Sequence, residues 1–239
     1  MPSDWKQAII KPLFKKGASS DPASYRPISL TSIFSKLMEK IIVEQMLKYL
    51  LTNNLISKQQ HGFLSRRSTA TNLIESLNDW TVKMENRQGQ SVAYIDFAKA
   101  FDSVSHPKLL TKLGAYGIGG VLLNWISDFL TGRSHVTRVG HCLSPIAFIT
   151  SGVIQGSCLG PLLFLLYIND LAEAISAVAT MKLYADDVKL YSNMSAVPTN
   201  ANVLQDQLNR LLQWSVVWQL PISFMKCCIL NIGKANESC

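Results

Sequence analysis

The side chains in this sequence best suited to chemistry are aspartates in two groups. Asp186 and Asp187 are adjacent, inside the run Met181 to Tyr191, while Asp96 and Asp102 lie far upstream after another apolar run. Carboxylates offer the hard oxygen that Mg²⁺ prefers, and Mg²⁺ takes one or two of them and completes its shell with phosphate oxygens and water. Two such ions roughly 4 Å apart can activate an attacking hydroxyl and stabilise a leaving oxygen in phosphoryl transfer. Asp also hydrogen-bonds its own backbone in tight turns, so an adjacent pair reads equally well as turn formers. The two readings part on whether the fold brings Asp96 and Asp186 together.

The elements around them suggest that it does. Met181–Tyr191 has the aromatic, aliphatic and alternating character of two short strands, with Ala185-Asp186-Asp187 as the turn of a β-hairpin. Ser91 to Phe97 reads as a strand ending in Asp96, with a nearly continuous apolar run from Val92 to Ile95. Helices separate these strands, a further helix is expected over Asn202 to Trp218, and Cys227 to Ile232 reads as a last strand. That order is βαββαβ, an antiparallel ferredoxin-like sheet, expected here with its helices on one face.

Upstream, Trp5 to Phe14 reads as a strand running into the basic turn Lys15-Lys16-Gly17. Ser32 to Leu51 carries Ile33, Leu37, Ile41, Met46 and Leu50 near helical spacing, which predicts an amphipathic helix with those residues inward. Gln59 to Thr71 is a Gly-containing, basic loop, followed by a helix from about Ala70 to Arg87 that Gly89 ends. Helices over Lys108–Tyr116 and Val121–Leu130 flank Gly117-Ile118-Gly119-Gly120, which lacks the Gly-Lys-Ser/Thr ending of a phosphate loop and reads as a turn. Thr131 to Ile149 alternates like a hairpin. Ser151 to Pro161, with Gly152, Gly156 and Gly160, permits close backbone approach before an apolar helix to Leu171.

Composition narrows the class. The 239 residues are 48% hydrophobic, enough for a sizeable core in one domain or two subdomains, and the formal charge of +7 suits a polyanionic partner. Five cysteines, Cys142, Cys158, Cys227, Cys228 and Cys239, form no C-x-x-C pair and no zinc spacing with the histidines, which predicts a reduced, intracellular protein, nuclear or cytoplasmic. Neither a signal peptide nor a membrane span is expected, since the apolar run Leu159–Ile168 is broken by Gly160-Pro161 and falls well short of the roughly 20 residues a bilayer needs.

Five motifs follow one another along the chain: Tyr25-Arg26-Pro27-Ile28-Ser29-Leu30, His61-Gly62-Phe63 with Ser68-Thr69, Tyr94 to Asp102 with His106, Gly152 to Ser157 with Gly160-Pro161, and Tyr184-Ala185-Asp186-Asp187. In these, and in their order, the chain resembles the reverse transcriptase domain of non-LTR, LINE-type retrotransposons of the jockey or CR1 kind. The likeness runs from about Asp4 to Lys234. It implies an α+β fold of right-hand polymerase fingers and palm with the thumb absent: 1–90 as partial fingers, 91–117 and 158–239 as palm, and 118–157 as a second fingers segment. The implied activity is RNA-directed DNA polymerisation, with an RNA template, a DNA primer and deoxynucleoside triphosphates as partners and two Mg²⁺ ions, or Mn²⁺ in their place, as cofactors. The chain would then be a fragment without thumb or endonuclease.

The resemblance also implies roles. Asp96, Asp186 and Asp187 would be catalytic metal ligands, and Lys226 would protonate the departing pyrophosphate. Lys15, Lys16, Arg26, Phe97, Phe101, Gln155 and Gly156 would bind the incoming nucleotide, the basic groups at its triphosphate and Phe101 beneath its sugar. The chain departs from the family at Ile154, where proline is usual, and at Ser223, where asparagine is usual. A second class stays open: a non-enzymatic retroelement remnant, or a domesticated nucleic-acid-binding protein that keeps the fold. The intact aspartates favour the enzyme. A ring beneath C2′ leaves no room for a 2′-hydroxyl, so Phe101→Val should raise the ribonucleotide-to-deoxynucleotide ratio of kcat/KM roughly tenfold or more, each ~1.4 kcal/mol of lost clash being tenfold. An unchanged ratio in the full-length parent element would rule the gate out.

Overall fold

The computed structural model describes residues 1–175, 177–194 and 198–233. Cys239, Lys234 and the remainder of the expected palm range beyond residue 233 lie outside the described residues. The chain forms two compact units, 1–55 with 104–166 and 56–103 with 167–239. Residues 56–90, expected with the fingers, thus share a unit with the strand that precedes Asp96.

In chain order the elements are β1 (Gln7–Phe14), β2 (Tyr25–Leu30), α1 (Ile33–Thr52), α2 (Thr69–Glu85), β3 (Gln90–Ile95), α3 (His106–Ala115), α4 (Gly120–Leu130), β4 (Ser134–Val139), β5 (Cys142–Leu143), β6 (Ala147–Phe148), α5 (Gly160–Ile168), α6 (Leu171–Ala174), β7 (Thr180–Tyr184), β8 (Asp187–Asn193), α7 (Pro198–Val217) and β9 (Cys228–Ile232). The fold is mixed α and β, as expected.

In the first unit a five-stranded sheet runs β2-β1-β4-β5, with β6 also on β4. β1 and β2 are antiparallel, and β1 pairs with β4 in parallel. β2 falls on a segment read above as motif alone. Its Pro27 stands opposite Pro12, and the strand lies at the sheet's edge, where a residue without an N–H is tolerated.

α1 buries Met46 and Leu50 as its apolar spacing predicts, but its N-terminal half turns a different face inward. Ile33, Leu37 and Ile41 are exposed, and the buried stripe is Ser35, Glu39, Ile42, Met46 and Leu50. The reason is Glu39. Its Oε2 accepts the backbone N–H groups of Cys158 (2.7 Å) and Leu159 (3.1 Å) just before α5, and its Oε1 accepts the Ser35 hydroxyl at 2.9 Å. A helix start presents N–H groups without partners, and a buried carboxylate supplies them. The turn between α3 and α4 is also structural: Gly117 has φ +79°, and a side chain there would strike the Tyr49 hydroxyl.

The second unit is built on an antiparallel sheet ordered β7-β8-β3-β9. With helices between β3 and β7 and α7 between β8 and β9, its element order is βαββαβ, with β4–β6 inserted in the first crossover. Strand alternation sends Val92, Tyr94, Lys189 and Tyr191 to one face. α2 lies there, Ser76 accepting from Lys189 Nζ at 2.9 Å and Asp79 from the Tyr191 hydroxyl at 2.5 Å, with Trp80 edge-on to Tyr191. Ala93, Ile95, Val188 and Leu190 point the other way and are buried; α7 packs along β8, and its Trp214 meets Phe97. Helices therefore lie against both faces, not one, because both faces of the central strands β3 and β8 carry large apolar groups. No helix among the described residues is long and apolar enough to cross a membrane.

Removing the Glu39 carboxylate leaves two helix-start N–H groups without their acceptor. Glu39→Ala should lower stability by about 3 kcal/mol, since each buried unpaired group costs roughly 1–3 kcal/mol. Urea unfolding followed by circular dichroism checks it, and a midpoint unchanged from the parent would show that the capping is dispensable.

Candidate active site

The acidic hairpin takes its geometry from strand register. Ile95 pairs with Val188 in the β3–β8 ladder, so one step further Asp96 stands across from Asp187. Tyr184 pairs with Asp187, leaving Ala185 and Asp186 as a two-residue hairpin loop. Ala185 has φ +55°, in the left-handed region that glycine usually occupies in such loops. Asp96 and Asp186 are half-buried and Asp187 is exposed.

A second strand-like segment carries Lys226 over Asp96. Ala98 N–H donates to Pro221 O at 2.7 Å, Ser223 N–H donates to Asp96 O at 2.8 Å, and Phe97 bridges Ile222. A short 3₁₀ turn, Phe224–Lys226, then places Lys226 Nζ 3.0 Å from Asp96 Oδ1. The pair is partly exposed, and such pairs contribute roughly 0–1 kcal/mol, so the backbone bonds set this geometry and the ion pair chiefly neutralises it. Asp96, Asp187, Lys189, Lys226, Tyr184 and Thr69 line a cleft of about 360 Å³. Lys189 is held below its usual basicity, first by burial and then by Lys182 nearby.

Phe97 does not face this cleft. It alternates to the opposite side, is 2% exposed and packs its ring against Trp214, away from the cleft where a nucleotide-binding role was expected of it. Phe101 is half-buried, edge-on to Phe63 with ring centroids 6.1 Å apart. Among the described residues, no three His, Cys, Asp or Glu side chains are grouped closely enough to hold a metal ion. The three aspartates are thus not gathered as a ready metal cage, though Asp96 already holds a cationic group.

Lys15, Lys16, Arg26, Gln155 and Gly156 belong to the first unit. Lys15 and Lys16 sit in the turn after β1 and Arg26 near the start of β2, all exposed. The loop with Gln155 is fastened by its backbone: Ser29 N–H donates to Gln155 O at 2.8 Å, and Gly152 N–H to Val104 O at 2.8 Å. His106 Nε2 lies 2.8 Å from Gly152 O, and the Ser157 hydroxyl donates to Ile154 O at 3.0 Å. A Cβ on Gly156 would lie 2.5 Å from Ser29 O, so only glycine fits.

Two positioning residues escape the motifs quoted above, Glu39 and Gln60. Glu39 is not marked by its type, since α1 also carries Glu44 and three lysines and the helix start it caps lies far along the chain. Gln60 directly precedes the His-Gly-Phe motif, and nothing in its type marks it.

The sequence from residue 13 to residue 237 matches the family described as Reverse transcriptase (RNA-dependent DNA polymerase), and the chain belongs to that family. It is similar to the RNA-directed DNA polymerases from mobile element jockey of Drosophila funebris (30% identical, covering 92% of this chain and 24% of the relative) and Drosophila melanogaster (31%, 100% and 27%). The chain therefore spans about a quarter of the length of these curated relatives. Among solved structures it is similar to apo telomerase from Candida tropicalis truncated from its C-terminal domain, with a TM-score of 0.66 at 12% identity over 98% of this chain and 51% of that one. Telomerase from Candida albicans in complex with the TWJ fragment of telomeric RNA gives 0.61 at 11%, over 100% and 43%. At such identities the likeness is one of fold.

His61, 2% exposed, sits behind the hairpin with Nδ1 3.0 Å from Thr71 Oγ1 and Nε2 3.4 Å from Glu75. Burial, the leading cause, holds its pKa below 6.5 although Glu75 pulls it up. The unfolded chain thus takes up this proton at higher pH than the folded one, so the His61 contribution is complete above about pH 6.5 and is lost as pH falls through the folded value. The melting temperature should fall between about pH 7 and pH 5, and His61→Gln should flatten that slope. Equal slopes in both proteins would show that His61 is not the titrating group.

Proposed function

We propose that this chain is the polymerising core of a non-LTR retrotransposon reverse transcriptase, adding deoxynucleotides to the 3′ end of a DNA primer on an RNA template. The observation that carries the reading is the convergence of Asp96 and Asp187 at the ends of paired strands, with Asp186 at the hairpin tip between β7 and β8. The second unit would serve chiefly as palm and the first chiefly as fingers, the motifs quoted above falling in both in the family's order.

The donors fit divalent metal. All are carboxylate oxygens, and the Lys226 ammonium already lies against Asp96, so a positive group is accommodated there. Mg²⁺ needs few protein ligands when phosphate oxygens complete its shell, so a three-carboxylate cage is not required of the protein alone. When bound, two Mg²⁺ ions, or Mn²⁺ in their place, supply activation of the primer hydroxyl and charge neutralisation at the leaving pyrophosphate. Asp96 and Asp186 would hold them, with Asp187 beside them.

The chain's own residues supply the rest. Lys226 would leave Asp96 and give a proton to a pyrophosphate oxygen as the bond to the α-phosphorus breaks. Lys15, Lys16 and Arg26 would take the triphosphate, Arg26 with the planar fork suited to two phosphate oxygens at once. Phe101 would sit beneath the sugar, supported by Phe63. Gln155 and Gly156 would present a loop, already tied down at Ser29, to the nascent base pair.

The test is primer extension on an RNA template with Mg²⁺. Asp186→Asn keeps size and removes a ligand charge, so extension should drop roughly a hundredfold or more, each ~1.4 kcal/mol of lost transition-state stabilisation being tenfold, while template binding and the circular dichroism spectrum stay at parent values. Extension by Asp186→Asn near the parent rate would overturn the assignment.

A further inference from the structure

The His-Gly-Phe motif and its preceding residue hold the acidic turn from behind, and the proposed function leaves this contact without a part. Gln60 is 1% exposed. Its Oε1 accepts two backbone N–H groups, Gly62 at 2.7 Å and Ala185 at 2.9 Å, while its Nε2 lies 3.5 Å from Ala185 O. On either side of it the backbone runs as an added strand beside β7: Leu183 N–H donates to Gln59 O at 2.9 Å and His61 N–H to Leu183 O at 2.8 Å. Asn72, from α2, gives a third hold through its Nδ2 to Leu183 O at 3.1 Å. Gly62 completes the fit, since a Cβ there would lie 2.4 Å from Ala185 N.

Ala185 needs holding. It is a non-glycine residue at φ +55°, a conformation that costs an L-residue roughly 1–2 kcal/mol, and it is the residue on which the direction of the next two side chains depends. Those side chains are Asp186 and Asp187. A lone amide oxygen that receives the Ala185 N–H and is fixed in turn by Gly62 N–H stabilises this backbone in the one arrangement.

We propose that Gln60 is a positioning residue that fixes the left-handed turn at Ala185, and through it the aim of Asp186 and Asp187 toward divalent metal. The role rests on the polymerase reading above for its consequence, and on the Gln60–Ala185 contact alone for its existence. Gln60 touches no reacting atom. A side chain that keeps an acceptor oxygen at the same reach preserves the hold, and one of the same length without it does not.

The experiment compares the parent with Gln60→Met, which keeps length and loses the acceptor, and Gln60→Glu, which keeps the acceptor. Hydrogen exchange of the peptide spanning residues 181–191 reads the turn directly, Mn²⁺ affinity by electron paramagnetic resonance reads the aspartates, and primer extension across a Mg²⁺ titration reads the consequence. Gln60→Met is expected to lose protection in that peptide, weaken Mn²⁺ about tenfold and raise the Mg²⁺ needed for half-maximal extension, with the KM for deoxynucleotide near the parent value; Gln60→Glu restores protection. If Gln60→Met proves unfolded by circular dichroism, the comparison moves to Asn72→Ala and Gly62→Ala, which disturb the same turn from other sides. Parent-like exchange and Mn²⁺ affinity in a folded Gln60→Met would overturn the inference. A parent that shows the expected exchange contrast with Gln60→Met, yet neither binds Mn²⁺ nor extends a primer, overturns the polymerase reading instead.

Discussion

The constraint on which the rest depends is the antiparallel register between β3 and β8. A slip of one residue would exchange Asp187, Lys189 and Tyr191 with Val188 and Leu190 between the face under α2 and the face under α7, because side chains alternate with period two. The register is over-determined. On one side Leu190 is fully buried and Val188 is 2% exposed; on the other, Tyr191 reaches Asp79 and Lys189 reaches Ser76 on α2. Neither face accepts the other's side chains, so Asp96 and Asp187 meet at the ends of their strands whatever their own preference.

That preference is against meeting, since like charges directly opposite on paired strands repel. Two features answer the repulsion, and their sizes differ. Lys226 neutralises Asp96, but as a partly exposed pair it contributes little. The backbone of residues 221–226, bonded to Ala98 and Asp96, is the stronger support, and it fixes where the ammonium can be. The acids are therefore imposed by buried apolar packing and backbone pairing, and the Lys226 ammonium relieves part of what the packing enforces.

This division explains what was legible in the sequence. The hairpin at Met181–Tyr191, the strand before Asp96 and the last strand announce themselves by alternation and aromatic content, and they fall close to where that alternation puts them. Three things did not show. β2 was masked by Pro27, harmless only because the strand is an edge. The inward face of α1 was misread because Ile33, Leu37 and Ile41 are more apolar than Ser35 and Glu39, and no local rule says that a helix start elsewhere in the chain needs a carboxylate. Phe97 was expected at the nucleotide through the resemblance alone, and strand alternation turns it toward Trp214.

The motif glycines carry a different kind of information. Gly62 and Gly156 lie in separate units, yet each stands where a Cβ would meet another segment's backbone, Ala185 N at 2.4 Å and Ser29 O at 2.5 Å. A glycine required by close approach marks the place where one loop is located by another's main chain, and so at hydrogen-bond precision rather than through longer, adjustable side chains. The loops so located carry Asp186 in one unit and Gln155 in the other. Both segments are loops, which are ordinarily the least constrained parts of a fold. Backbone-to-backbone contact that tolerates only glycine is what gives them the fixity of strands.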